Sequence, residues 1–105
     1  MLSLRERLIA ARARIAPPEH WTKGVFARTK EGVLTYPASP EAACWCLVGT
    51  LRANVGQFSY CNDILPVGDV VRKKTNFNNC AEFNDHKDTT HAMVLAVLDE
   101  AIARC

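Results

Sequence analysis

Apolar residues recur at helical spacing at both ends of this chain and run together in its middle. Near the start, Leu4, Leu8, Ala11 and Ile15 share one helical face, with arginines at 5, 7, 12 and 14 beside it. Ser3 stands where a cap is needed, and Pro17-Pro18 ends the pattern because a proline at 18 biases residue 17 out of the helical region. Near the end, Val94, Leu95, Leu98 and Ile102 form a second stripe, with Asp99, Glu100 and Arg104 on the side facing water. In between, residues 42 to 48 are all apolar and follow Ser39-Pro40-Glu41, a capping residue, a proline suited to the first helical position and an acid. This predicts a central helix from Ser39 to a stop at Gly56, buried on nearly every side. Gly49 within it costs about 1 kcal/mol against Ala, which implies a close crossing with another backbone.

Shorter apolar runs, "VFART" and "VLTY", predict a β-hairpin turning at "KEG". Two strands alone are marginal in water, so the hairpin must pack on helices, with Trp21 supplying much of the contact. Residues 57 to 82 carry weaker signals: a turn at Pro66 to Asp69 and short helical pieces. The expected fold class is α+β, a mostly helical single domain spanning residues 1–105. Three main helices surround a buried central helix, and a small β-hairpin lies to one side.

The 105 residues suit one domain, and 49% apolar composition is enough for one core. No apolar run nears the ~20 residues that span a bilayer, so no membrane association is expected. The Arg-rich start lacks the apolar stretch and cleavage site of a secretory leader, which points to the cytoplasm. The five cysteines are an odd number without secretory context and read as buried thiols rather than a disulfide framework. One C-x-C pair and three scattered cysteines also fit structural zinc poorly. Net charge is +2, but residues 1–30 carry +5 and residues 31–105 carry −3. That asymmetry could attract an acidic partner at one end, although a solvated helix face is the simpler and favoured reading.

The segments "WTKG", "WCLVG", "ND" and "THAMVLAVLDEAI" resemble a family of small uncharacterised bacterial and phage-associated proteins, a domain of unknown function. The matching residues are Trp21, Lys23, Gly24, Gly32, Trp45, Cys46, Gly49, Leu51, Asn84, Asp85, Thr90, His91, Val94, Leu95, Leu98, Asp99, Ala101 and Ile102. Thr50 replaces an expected Ala, and Met93 replaces an acid that would complete a capping box. The resemblance implies the fold and brings no activity with it.

"FNDHKDTTH", residues 83 to 91, is the densest polar stretch. Its simplest role is structural: Thr90 caps the last helix, Thr89 contributes much less, and Asn84, Asp85 and Asp88 satisfy turn backbone. A metal reading would use His86, Asp88 and His91, without the helical H-E-x-x-H pair or an EF-hand loop. A nucleophilic reading pairs Cys46 or Cys44 with His91 or His86, with Asn84 or Asp85 as orienter. Lying inside a predicted apolar helix, neither thiol gains much from the helix dipole. Nucleic acid is not expected, because Arg5, Arg7, Arg12, Arg14 and Arg72-Lys73-Lys74 come with no binding motif. The chain is therefore expected to be a non-catalytic binding module without cofactors, for a protein partner or a small ligand. Its candidate contacts are Trp21, Asn84, Asp85, His86, His91, Arg5 and Arg12. The alternative is a small cysteine-dependent hydrolase using Cys46, His91 and Asn84. Oligomeric state is left open.

Overall fold

The computed structural model describes residues 3–53 and 60–105. Helix α1 (Leu4–Arg14) starts at a reciprocal capping box: Ser3 Oγ accepts from Glu6 N at 3.1 Å and Glu6 Oε1 accepts from Ser3 N at 2.9 Å. Those bonds, the one to the Ser3 backbone foremost, hold the Glu6 carboxyl below its ordinary range. Leu8, Ala11 and Ile15 are fully buried, as the stripe predicts. A single 3-10 turn at Pro18–His20 then reverses the chain.

The sheet differs from expectation in an informative way. Its paired strands are β1 (Ala27–Thr29) and β2 (Ala42–Trp45), antiparallel, with Ala27 opposite Trp45 and Arg28 opposite Cys44. The "KEG" turn is present: Gly32 N donates to Thr29 O, Gly32 has a φ of +85°, and Thr29 N returns to Val33 O. However, the "VLTY" run meets β1 only through the bridge between Arg28 and Leu34. A second bridge, Trp21 to Trp45, extends the other side. The sheet thus runs 33–35, β1, β2, 21–22.

Residues 42–45, expected as helix, are strand, because their backbone groups pair with β1. Ser39 still binds locally, accepting from Glu41 N at 3.1 Å, but the bond closes a turn instead of opening a helix. The central helix is the shorter α2 (Leu47–Ala53), in which Leu47, Val48, Gly49, Thr50 and Leu51 are all buried. The expected stop at Gly56, and residues 57–59 of the weakly patterned stretch, lie outside the described residues. α2 packs against α1, α3 (Tyr60–Lys74) and α4 (Cys80–Asp85). The expected turn at Pro66 is instead the interior of α3, where a missing N–H is tolerated because Val67, Val70 and Val71 are locked in the core.

α5 (His91–Ala103) closes the domain against α1 and α3, burying Val94, Val97, Leu98 and Ala101. Thr90 caps it as expected, accepting from Met93 N at 3.2 Å, and Met93 Sδ accepts from Thr90 N in place of an acid. Thr50 is similarly explained, since its buried hydroxyl donates to Ala11 O at 2.7 Å and ties α2 to α1. The fold is a single mostly helical α+β domain with helices around a buried central one. A radius of gyration of 12.5 Å agrees with the ~13 Å typical of one compact body this long.

Candidate functional site

The polar stretch 83–91 is the last turn of α4, a short loop and the start of α5. Asn84, expected in a loop, is helical and fully buried. Its Oδ1 accepts from Trp21 Nε1 at 2.6 Å and from Leu47 N at 3.1 Å. Its Nδ2 donates to Thr22 O at 3.1 Å and to Asp85 Oδ1 at 3.0 Å. Two donors into the oxygen and two acceptors for the amide exhaust what the side chain offers. Asp85 Oδ1 also accepts from Gly24 N at 2.9 Å, where Gly24 has a φ of +86° that favours glycine. Lys23 Nζ donates to His86 O at 2.5 Å and lies 5.4 Å from the Trp21 ring. Residues 21–24 are thus buttoned onto 84–86, and both onto the start of α2.

His91 is committed elsewhere. Its Nε2 lies 2.6 Å from Ile15 O, and because a carbonyl only accepts, that nitrogen carries the proton. The imidazole packs 5.9 Å from the Trp21 ring. His86 packs on Phe77 at 5.0 Å and accepts from Asp88 N at 3.1 Å through Nδ1. His86, Asp88 and His91 therefore face different partners, and no group of three or more His, Cys, Asp or Glu among the described residues could hold a metal ion.

Cys46 does not sit deep in a helix. It precedes α2, where Sγ accepts from Gly49 N at 3.2 Å. Burial nevertheless raises its thiol above the ordinary range, outweighing the lowering from the Gly49 and Val48 N–H groups. Burial likewise pushes the Cys80 thiol up to about 11. Cys46, His91 and Asn84 each hold a different piece of backbone, and no bond joins the three. Cys44 lies half-buried on β2 and Cys105 is exposed; both are free thiols.

The N-terminal arginines are also engaged. Arg5 donates to Ile102 O at 2.8 Å, at the end of α5, and Arg12 Nε lies 2.5 Å from Asp99 Oδ1. Arg14 donates to Thr50 O at 3.2 Å and stacks over Trp45 at 5.5 Å. The basic face clasps α1 to α5 and α2.

Among the described residues, two open surfaces bear on function. A cleft of about 310 Å³ between α3, α4 and α5 has apolar walls that include Val70, Phe83, Met93 and Val97, with Lys74 and Glu100 4.0 Å apart in its lining. It lies at the lower limit of ligand pockets. The other surface is the hairpin. Tyr36 is 82% exposed, Leu34 66%, Val33 61% and Phe26 41%, whereas most apolar side chains of this fold are inside. The Arg28–Leu34 register puts Phe26 opposite Tyr36, so Phe26, Arg28, Leu34 and Tyr36 share the outer face. Arg52 stacks over Phe26 at 4.6 Å.

Comparison with protein families matches residues 1–104 to a family of unknown function, DUF6197. The chain belongs to this family. No curated protein and no solved structure matches it.

In this DUF6197 chain, the residues that carried the resemblance hold the fold. Trp21, Lys23 and Gly24 dock on Asn84, Asp85 and His86. At Gly49, an added Cβ would penetrate the Phe26 carbonyl oxygen and lie 2.8 Å from its carbon. The expected close crossing with another backbone is therefore present, made with the residue just before β1. Sequence reasoning passed over Phe26, Val33, Leu34 and Tyr36 because strand-like apolar residues were assigned to packing. The available signal was consecutive apolar residues at 33 and 34 squeezed between Gly32 and Pro37, too short a run to bury both faces.

Proposed function

We propose that this chain is a non-catalytic binding module that recognises a protein through the outer face and open edge of its hairpin. The observation that carries this reading is the grouping of Phe26, Leu34 and Tyr36 on one exposed face with Arg28 beside them. Aromatic, leucine and arginine side chains in one patch have the make-up of an interface core, and water alone gives no reason to display them. The groups with catalytic potential support the same reading, since Cys46 and His91 are each engaged by backbone and burial raises the Cys46 and Cys80 thiols above their ordinary range. Free thiols at Cys44, Cys46, Cys80 and Cys105 suit a reducing cytoplasm. No helix among the described residues is long and apolar enough to cross a membrane.

The direct test is affinity capture with the tagged chain and with Leu34→Ser/Tyr36→Ser, alongside Cys46→Ser and His91→Ala. The proposal expects a protein retained by the parent chain and by folded Cys46 and His91 variants, but lost from the hairpin variant. Retention by the hairpin variant, or turnover of an ester or amide substrate that vanishes with Cys46→Ser, would count against it. The α3–α5 cleft supports a small apolar ligand as the second reading, placed behind because of its size.

A further inference from the structure

The hairpin edge has a self-complementary geometry, and we infer that the protein occupying it is a second copy of this chain. This rests on the binding reading above and names its partner. Thr29 N donates to Val33 O at 2.8 Å and Thr35 N donates to Ala27 O at 3.1 Å. These two bonds flank the Arg28–Leu34 bridge, so Leu34 is the non-bonded member of its pair with β1. Its own N–H and carbonyl are directed away from the sheet, at a residue that is mostly exposed. That is an unfilled sheet edge, and an unfilled edge templates another strand.

A two-fold axis across this edge brings two copies together antiparallel, each giving its Leu34 N–H and carbonyl to the other's edge. Gly32 limits the ladder at one end, because its N–H goes to Thr29 O and its carbonyl accepts from Arg28 at 3.3 Å. Pro37, with no N–H, limits it at the other. The opposite edge, residues 21–22, is taken up by α4, since Thr22 O accepts from Asn84 Nδ2 at 3.1 Å and Gly24 N donates to Asp85 Oδ1 at 2.9 Å. One open edge per chain closes a pair and cannot propagate a filament.

The exposed side chains along this edge agree as well. Leu34 is 66% and Tyr36 82% exposed on the outer face, and the two-fold arrangement sets Leu34 directly beside the partner's Leu34 with Tyr36 diagonal to it, a cross-strand apolar cluster.

The test is sedimentation velocity on the full chain over a wide concentration range, with Leu34→Ala, Leu34→Pro and Leu34→Lys, each checked for native circular dichroism. Pro suits an edge position whose N–H faces solvent, so Leu34→Pro removes the outward donor without touching the bonds to β1. The inference expects a reversible monomer–dimer equilibrium, weakened by Leu34→Ala, and weakened about tenfold further by Leu34→Pro. Leu34→Lys, which keeps the N–H but adds a charge at the edge, should leave a monomer; it also stands in if Leu34→Pro fails to fold. A chain that stays monomeric at all concentrations overturns the self-pairing, and so does a dimer indifferent to Leu34→Lys, or growth beyond two copies. If the chain is monomeric yet the hairpin variant still loses a captured protein, only the second copy is refuted. If neither self-pairing nor hairpin-dependent capture occurs, the binding reading falls with it.

Discussion

Replacing Asn84 should nearly unfold this protein, and the way it does so distinguishes a structural knot from a catalytic orienter. Asn84→Ala removes four hydrogen bonds from a fully buried position. It strands the Trp21 indole N–H and the Leu47 N–H, and an unsatisfied buried polar group costs about 1–3 kcal/mol. With two such groups and the lost side chain, a total near 4 kcal/mol is expected, against a typical domain stability of about 5–15 kcal/mol. At about 4–8 °C per kcal/mol for a domain of this size, the melting temperature should fall by at least ~15 °C. Asn84→Asp keeps the shape but turns the amide donor into an acceptor facing the Thr22 carbonyl and the Asp85 carboxylate. Burial and that neighbour raise the introduced carboxyl's folded pKa above its unfolded value of about 3.9. The folded state then binds the proton more tightly, so stability is lost as pH rises through the folded pKa and recovered as pH falls through it. Urea titrations followed by circular dichroism at neutral and mildly acid pH would measure both effects. A loss below ~1 kcal/mol for Asn84→Ala, or an Asn84→Asp variant no more stable relative to the parent at acid pH, would refute the knot.

Other perturbations probe neighbouring parts. Thr90→Ala should cost about 1 kcal/mol as a lost helix cap, but Thr89→Ala should cost at least as much, because the buried Thr89 hydroxyl donates to Phe83 O at 2.6 Å; thermal melts of both decide this. Gly49→Ala gains about 1 kcal/mol of helix propensity but drives a methyl into the Phe26 carbonyl, so the melting temperature should fall, and a rise would contradict the crossing. Thiol labelling near pH 8 should be slow at Cys46 and Cys80, whose burial keeps the thiolate scarce, and fast at exposed Cys105; His91→Ala should not change the Cys46 rate. Reversing Arg5 and Arg12 to Glu together should destabilise the fold by about 1–3 kcal/mol, since it sets one carboxylate against the α5 carbonyl end and another against Asp99.

The terminal helices were legible because capping chemistry and stripe agree there: Ser3 with Glu6, and Thr90 before Val94. The "KEG" turn was legible because glycine at positive φ is a local requirement. The start of the central helix was not, because "AACWCLVG" is an unbroken apolar run, and such a run fits a buried strand or a buried helix equally well. Pairing of residues 42–45 with β1, a contact made across the chain, decided it. Pro66 misled for a similar reason, its local preference overridden by packing of the valines around it. At the site, Trp21, Lys23, Asn84, Asp85 and His91 could be singled out in the sequence, but the partners they bond could not. Apart from the bond between neighbours Asn84 and Asp85, their hydrogen-bond partners lie 37 to 76 residues away along the chain, and nothing local in "FNDHKDTTH" announces an indole or the Ile15 carbonyl. Arg5 and Arg12 looked free for the same reason, being bound to α5 at the opposite end of the sequence.

Residue-resolved amide hydrogen exchange at low and high protein concentration tests the central claim most directly, because it reads the open edge in the native chain. The account predicts protected Thr29 and Thr35 amides throughout, and a Leu34 amide that exchanges rapidly when dilute and slows as concentration rises. A Leu34 amide already protected in the dilute chain, or one that stays fast at every concentration, would contradict it.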